Sequence, residues 1–128
     1  MILVETTVAI DYTKGRDAKL NALLPTLAVA VCGVTRAELL CGAFDPADRQ
    51  DLLNILAGFH HFPTPEVLWD TIRDNLAALR SAGIRVPFPG AVIATVAIVN
   101  DIELWTRDKH FALIQTVLPA LKLFQEPP

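Results

Sequence analysis

Cysteine, long apolar runs and an excess of positive charge are all scarce in this sequence, and each shortage removes a class of protein. The two cysteines, Cys32 and Cys41, stand in apolar surroundings without CxxC spacing. Both read as buried small hydrophobes, so neither a disulfide framework nor a cysteine zinc site is expected. The longest uncharged stretches, Leu20 to Thr35 and Val86 to Asn100, are short and broken by Pro25, Gly33, Pro87, Pro89 and Gly90. Neither suits a membrane span. Eleven Lys and Arg face 14 Asp and Glu, a net charge of −3. No global basic field advertises nucleic acid, and any RNA contact must use a local patch or metal ions. The start meets Glu5 with no basic residue before it, unlike a secretory signal, so a cytoplasmic location is expected.

What is present is apolar material: 52% hydrophobic residues and a mean hydropathy of +0.40, against 20% charged. That is more than an average soluble domain uses, and the surplus reads as a partner interface. With no repeat, low-complexity tract or linker, residues 1–128 are expected to form a single domain, with only the tail 125–128 disordered.

Patterning gives an alternation of strands and helices. Ile2 to Val4 reads as a strand running into a helix capped by Thr6 or Thr7 and stopped at Gly15. Asp17 caps a second helix ended by Pro25, and Leu27 to Cys32 is a buried strand. Thr35-Arg36-Ala37-Glu38 has the spacing of a capping box. Asp45-Pro46 opens a helix up to Gly58, and Phe59 to Phe62 follows as a short strand. The clearest helix is expected from about Pro65 to Ala82, capped by Thr64, with Trp69, Ile72, Leu76 and Leu79 forming its apolar stripe as core or dimer contacts. Ala91 to Val99 reads as a helix buried all round. Ile102 to Trp105 is a strand, Lys109 to Ile114 a short helix, and Leu121 to Phe124 a last strand. The class is therefore α/β, with a central, mainly parallel sheet flanked by helices.

Ligands of open α/β sheets collect at the carboxyl ends of the strands, where Glu5 and Asp108 are both expected. Glu38, at a helix start, can join them. Such carboxylates suit a hard divalent cation and metal-assisted phosphodiester hydrolysis. Each acid also has a plain structural reading: Glu5 and Asp108 favour the positive ends of the helices behind them, and Glu38 completes the capping box. His60-His61 reads as structural or solvent-facing, because adjacent residues on a strand point to opposite faces. Among Lys14, Arg36, Arg107 and Lys109, Arg107 is the best candidate to receive a phosphate.

The segments Ile2-Leu3-Val4-Glu5-Thr6-Thr7, Thr35 through Ala43, Val86 through Ala94 and Leu104 through Phe111 resemble, in order, four signature blocks of the PIN-domain family, closest to the VapC-type toxin ribonucleases. The resemblance implies a PIN-like three-layer fold and an acidic site at Glu5, Glu38, Gly90 and Asp108. Glu5 and Asp108 would hold Mg²⁺ or Mn²⁺, with Thr6 or Thr7 and Thr106 as neighbouring hydroxyls; Thr6 and Thr106, together with the Arg107 chosen above, are the expected substrate contacts. Two positions depart from the pattern. Glu5 is one methylene longer than the family's Asp, and Gly90 supplies no carboxylate, which weakens the expected metal site.

The resemblance thus implies a metal-dependent endoribonuclease with a weakened site, the toxin of a toxin-antitoxin pair, acting on RNA, bound by an antitoxin-like protein and forming a homodimer. The alternative is a catalytically impaired PIN-like protein that binds an antitoxin-like partner or RNA. A phosphate-receiver-like domain ranks third, because no second acid adjoins Glu5.

Overall fold

The computed structural model describes residues Met1–Pro128. Five short strands, Ile2–Val4 (β1), Val29–Cys32 (β2), His60–Phe62 (β3), Glu103–Trp105 (β4) and Lys122–Leu123 (β5), form one parallel sheet in the order β3-β2-β1-β4-β5. Seven helices cover it: Thr6–Thr13 (α1), Ala18–Leu23 (α2), Gly33–Cys41 (α3), Pro46–Ala57 (α4), Leu68–Ser81 (α5), Phe88–Val99 (α6) and His110–Val117 (α7).

Side chains alternate across a strand, so each strand feeds two cores. Ile2, Val4, Val31 and Trp105 face one side and pack with Val8, Leu20, Leu39, Leu52 and Leu56, which come from α1 to α4. Leu3, Ala30, Cys32 and Leu104 face the other and pack with Leu68, Ile72, Val92, Ile93, Phe111 and Ile114, from α5 to α7. The result is the expected three-layer arrangement. In α6 every residue from Ala91 to Ala97 is buried, as an apolar helix enclosed by neighbours requires.

Element boundaries diverge from expectation where a local signal misled. Asp17 and Asp45 cap α2 and α4, accepting from Leu20 N–H at 3.1 Å and Ala47 N–H at 2.8 Å. Pro25 does not end the chain's coiling, which continues as a 3₁₀ turn over Leu24–Thr26. Neither Thr6 nor Thr7 caps α1, because both lie inside it and Glu5 holds the N-cap position. Helix α5 starts at Leu68 after a turn, with Val67 rather than Thr64 at its cap. Trp69 lies outside the core at 39% exposure, its ring parallel to that of Phe88 with centroids 6.3 Å apart. Cys41, expected to be buried, is exposed at the end of α3.

The tail 125–128 contains no helix or strand, yet Glu126 within it accepts from the Trp105 indole at 2.7 Å. No helix is long and apolar enough to cross a membrane.

Burial sets the expected response to truncation. Leu104→Ala, at a fully buried position, should cost about 3 kcal/mol. Trp69→Ala should cost under about 1 kcal/mol. Urea unfolding of the two variants checks the contrast.

Candidate active site

Strand order fixes where a ligand site can form. From β1 the chain moves outward through β2 and β3 on one side, and β4 and β5 lie on the other, so β1 and β4 flank the point where the order reverses. The crevice beyond the carboxyl ends of such a pair is where open α/β sheets bind ligands. Val4 is paired with Trp105, so the next residues, Glu5 and Thr106, leave the sheet side by side. Glu5 N–H also donates to Trp105 C=O at 2.9 Å.

Glu5 is only 5% exposed and makes no side-chain cap bond to α1. Its Oε1 accepts instead from the hydroxyls of Thr7 and, at 2.6 Å, Thr106. The extra methylene of this glutamate is therefore absorbed in a conformation that two hydroxyls hold. Oε2 has no protein partner, yet it is not sealed away: Asn21 Oδ1 is the one buried side-chain polar atom without a partner.

Glu38 has a different local origin from the one its spacing suggests. Strand β2 passes straight into α3, which begins at Gly33 with Cys32 at the N-cap, so Thr35 is already helical and no capping box forms. Thr35 and Glu38 are three residues apart and share a helix face. Both reach Thr6 of α1: Thr6 donates to Glu38 Oε1 at 2.7 Å, and its oxygen lies 3.2 Å from the fully buried Thr35 hydroxyl. With the Thr6 proton directed to Glu38, Thr35 is the donor to Thr6.

Asp108 lies in the segment between β4 and α7, two residues before that helix begins. Its Oδ1 accepts from His110 N–H at 2.9 Å and lies 2.6 Å from His110 Nδ1. Burial works to raise its pKa, but the bonds and positive charge of His110 outweigh that and hold it below the usual carboxylate range. Glu5, Glu38, Asp108 and Gly90 all line one cleft of about 120 Å³, walled by Pro87, Ile93, His110 and Phe111. In each of the three acids one oxygen is held and the other has no protein partner. Neither Glu5 nor Glu38 belongs to an ion pair, and among the three acids only Asp108 has a basic partner, His110.

This donor set fits a hard cation, which commonly takes one or two carboxylates together with water and phosphate. It does not amount to a closed protein cage, because no group of three or more His, Cys, Asp or Glu side chains is close enough to hold a metal ion. At Gly90, the third residue of α6, an added Cβ would sit 3.7 Å from Phe111 Cζ, an ordinary contact. Gly90 contributes no carboxylate to the cleft, but there is room there for a side chain to start.

Thr6, Thr106 and Arg107, expected beside the substrate, are not among the residues lining the cleft. Thr6 and Thr106 direct their protons to Glu38 and Glu5. The Arg107 guanidinium binds three carboxylates: Asp11 at 3.0 Å, Asp17 at 2.8 Å, and Glu126 in a two-pronged contact at 2.8 and 3.1 Å. Arg107 holds Glu126 below the usual carboxylate range. Asp17 is lowered first by the Leu20 N–H it caps and then by Arg107. His60 and His61 lie on the edge strand β3, where His61 Nε2 is 3.0 Å from Leu56 C=O. Sequence reading missed Thr35 and His110, although His110 stands two residues beyond Asp108, within reach of its carboxylate.

A parallel sheet between two helical layers, with Glu5, Glu38 and Asp108 lining a cleft at its switch point, matches the PIN-like class of α/β folds. No family model matches the chain. It is, however, 30% identical over 125 residues to ribonuclease VapC10 of Mycobacterium tuberculosis, spanning 93% of this chain and 92% of the relative. It is also 32% identical over 111 residues to ribonuclease VapC32 of that organism, spanning 86% of each. The chain belongs to the VapC family of PIN-domain ribonucleases. The fold is similar to that in the crystal structure of VapBC2 from Rickettsia felis bound to a DNA fragment from their promoter, with a TM-score of 0.83 at 20% identity over 97% of this chain and 98% of that one.

Two expectations follow. Gly90→Asp should change stability by less than about 1 kcal/mol, since an acid in the first turn favours the helix dipole. By contrast Gly83→Ala, at φ 76°, should cost about 1–2 kcal/mol. Thermal unfolding compares them. Because the pKa values of Glu126 and Asp17 are lowered on folding, their stabilisation is present above their ordinary values of 4.5 and 3.8 and is lost as pH falls through the folded values. The stability advantage of the native chain over Arg107→Ala should therefore shrink below about pH 4.5, as urea unfolding across that range would show.

Proposed function

We propose that this chain is a divalent-metal-dependent endoribonuclease, the toxin of a toxin-antitoxin pair, which cleaves RNA in the cytoplasm at the cleft of Glu5, Glu38 and Asp108. One observation carries the reading: three carboxylates from separate segments line one cleft, each with one oxygen held by protein and the other without a protein partner. Glu5 and Asp108 would hold Mg²⁺ or Mn²⁺, with Glu38 on the third side. The cation, when bound, supplies Lewis-acid polarisation of a phosphate and lowers the pKa of a bound water.

The protein's own contribution is preorganisation. Thr7 and Thr106 hold Glu5, Thr6 holds Glu38 and His110 holds Asp108, so the negative charge is arranged before substrate arrives. Glu38, free of any capping duty, is the candidate base for the attacking water. Thr6 and Thr106 act in this reading through the acids they hold.

A protein partner has a place beside the cleft. A larger cavity of about 420 Å³ is lined by Ile10, Leu39, Leu52 and Ile55, with Asp48, Asp51 and Glu38 among its polar groups. Its apolar floor and a rim on which three acids outnumber the one cation, Lys14, suit an amphipathic basic segment of an antitoxin-like protein. Glu38 belongs to both cavities, so occupation of one would reach the other. Exposed Val67, Trp69 and Phe88 offer apolar surface for a homodimer.

The second reading, an impaired site that acts by binding a partner or RNA, is favoured by Gly90 and by the lack of a three-acid metal cluster. Cleavage of single-stranded RNA with Mn²⁺ separates the two. The proposal expects cleavage by the native chain, a loss of at least about 100-fold in Asp108→Ala, and a gain in Gly90→Asp. Silence of the native chain with recovery in Gly90→Asp would establish the impaired reading.

A further inference from the structure

We propose that Arg107 is a positioning residue for the acidic cleft, clamped by Asp11, Asp17 and the tail residue Glu126, and that this clamp sets the geometry of Glu5 and Asp108. The proposal deepens the ribonuclease reading and rests on it for its activity readout.

Both hydroxyls that hold Glu5 are themselves held by the segment joining β4 to α7. Thr7 Oγ1 accepts from Arg107 N–H at 3.0 Å, and Thr106 Oγ1 accepts from Asp108 N–H at 3.0 Å. Each hydroxyl has one proton, spent on Glu5, and an oxygen that takes a backbone N–H. The peptide groups of residues 107 and 108 therefore orient the hydroxyls that orient Glu5, and the same short segment carries Asp108. Residues 106–109 lie outside helix and strand, so something else must keep them in place.

The Arg107 side chain provides that anchor. Its guanidinium ties the segment to α1 through Asp11, to the cap of α2 through Asp17, and to the tail through Glu126. Glu126 is in turn fixed by the Trp105 indole, at the end of β4. Isolated surface ion pairs contribute little, but a planar guanidinium in a forked contact within a network is the exception. At 26% exposure the side chain is also largely withdrawn from water. Three carboxylates around one guanidinium leave net negative charge, eased only by Arg16 at 3.8 Å from Asp11. Such a cluster repels a phosphate, which argues against direct substrate contact and for a positioning role.

Glu126→Ala and Arg107→Ala test the clamp, since neither residue lines the cleft. Amide hydrogen exchange at Arg107 and Asp108 should speed up about 10-fold in both variants, while exchange at Leu104 and Ile93 stays unchanged. Calorimetric titration with Mn²⁺ should show affinity about 10-fold weaker, as expected when groups that orient metal ligands are lost. RNA cleavage should fall in kcat with KM within about 2-fold. Unchanged exchange at residues 107 and 108 overturns the clamp, as does a rise in KM at constant kcat, which would mark direct phosphate contact. If the native chain neither binds Mn²⁺ nor cleaves RNA, the ribonuclease reading fails, and hydrogen exchange alone still decides the clamp.

Discussion

Glu5 must keep a carboxylate in a buried position at the end of the central strand, and much of the surrounding structure serves that requirement. Burying a charged group without hydrogen bonds is costly, and no lysine or arginine pairs with this one. Two hydroxyls meet the cost from opposite sides, Thr7 within α1 and Thr106 beyond β4. The Val4–Trp105 register brings them together, because a one-residue slip between β1 and β4 would turn the neighbouring side chains to the wrong faces. Packing on both faces of the sheet, by Leu3 and Leu104 on one side and Val4 and Trp105 on the other, therefore fixes the acid as well as the fold.

The same logic extends to the other two acids. Glu38 is held through a buried Thr35–Thr6 relay and Asp108 through His110, so each carboxylate keeps one oxygen without a protein partner. Gly90 breaks the pattern by contributing nothing to the cleft's charge. Its loss lowers both the repulsion among the acids and their attraction for a cation. The backbone around it stays compatible with a side chain, since an added Cβ meets only the edge of Phe111 at 3.7 Å. The departure is one of chemistry, with little structural cause.

Strands β1 and β2 were legible as short apolar runs, and the resemblance of the four blocks supplied the PIN-like class. The placing of Glu5 and Asp108 just beyond the ends of β1 and β4 was readable from sequence. Glu38 was harder: its spacing from Thr35 imitates a capping box, and only the direct passage of β2 into α3 moves Thr35 inside the helix. A similar error lengthened α5, where Pro65 reads as a first helical residue although the helix waits until Leu68. Arg107 could not be placed from sequence at all. Its partners lie 96 and 90 residues before it and 19 after it, and no local pattern encodes such contacts.

Glu5 and Asp108 are proposed to hold a divalent cation in the cleft they share with Glu38, despite Gly90. Anomalous diffraction from crystals grown with Mn²⁺ tests it most directly. A single peak within coordination distance of the unengaged oxygens of Glu5 and Asp108 is the predicted result. A well-ordered cleft with no peak, or a peak held by other residues, would contradict the account.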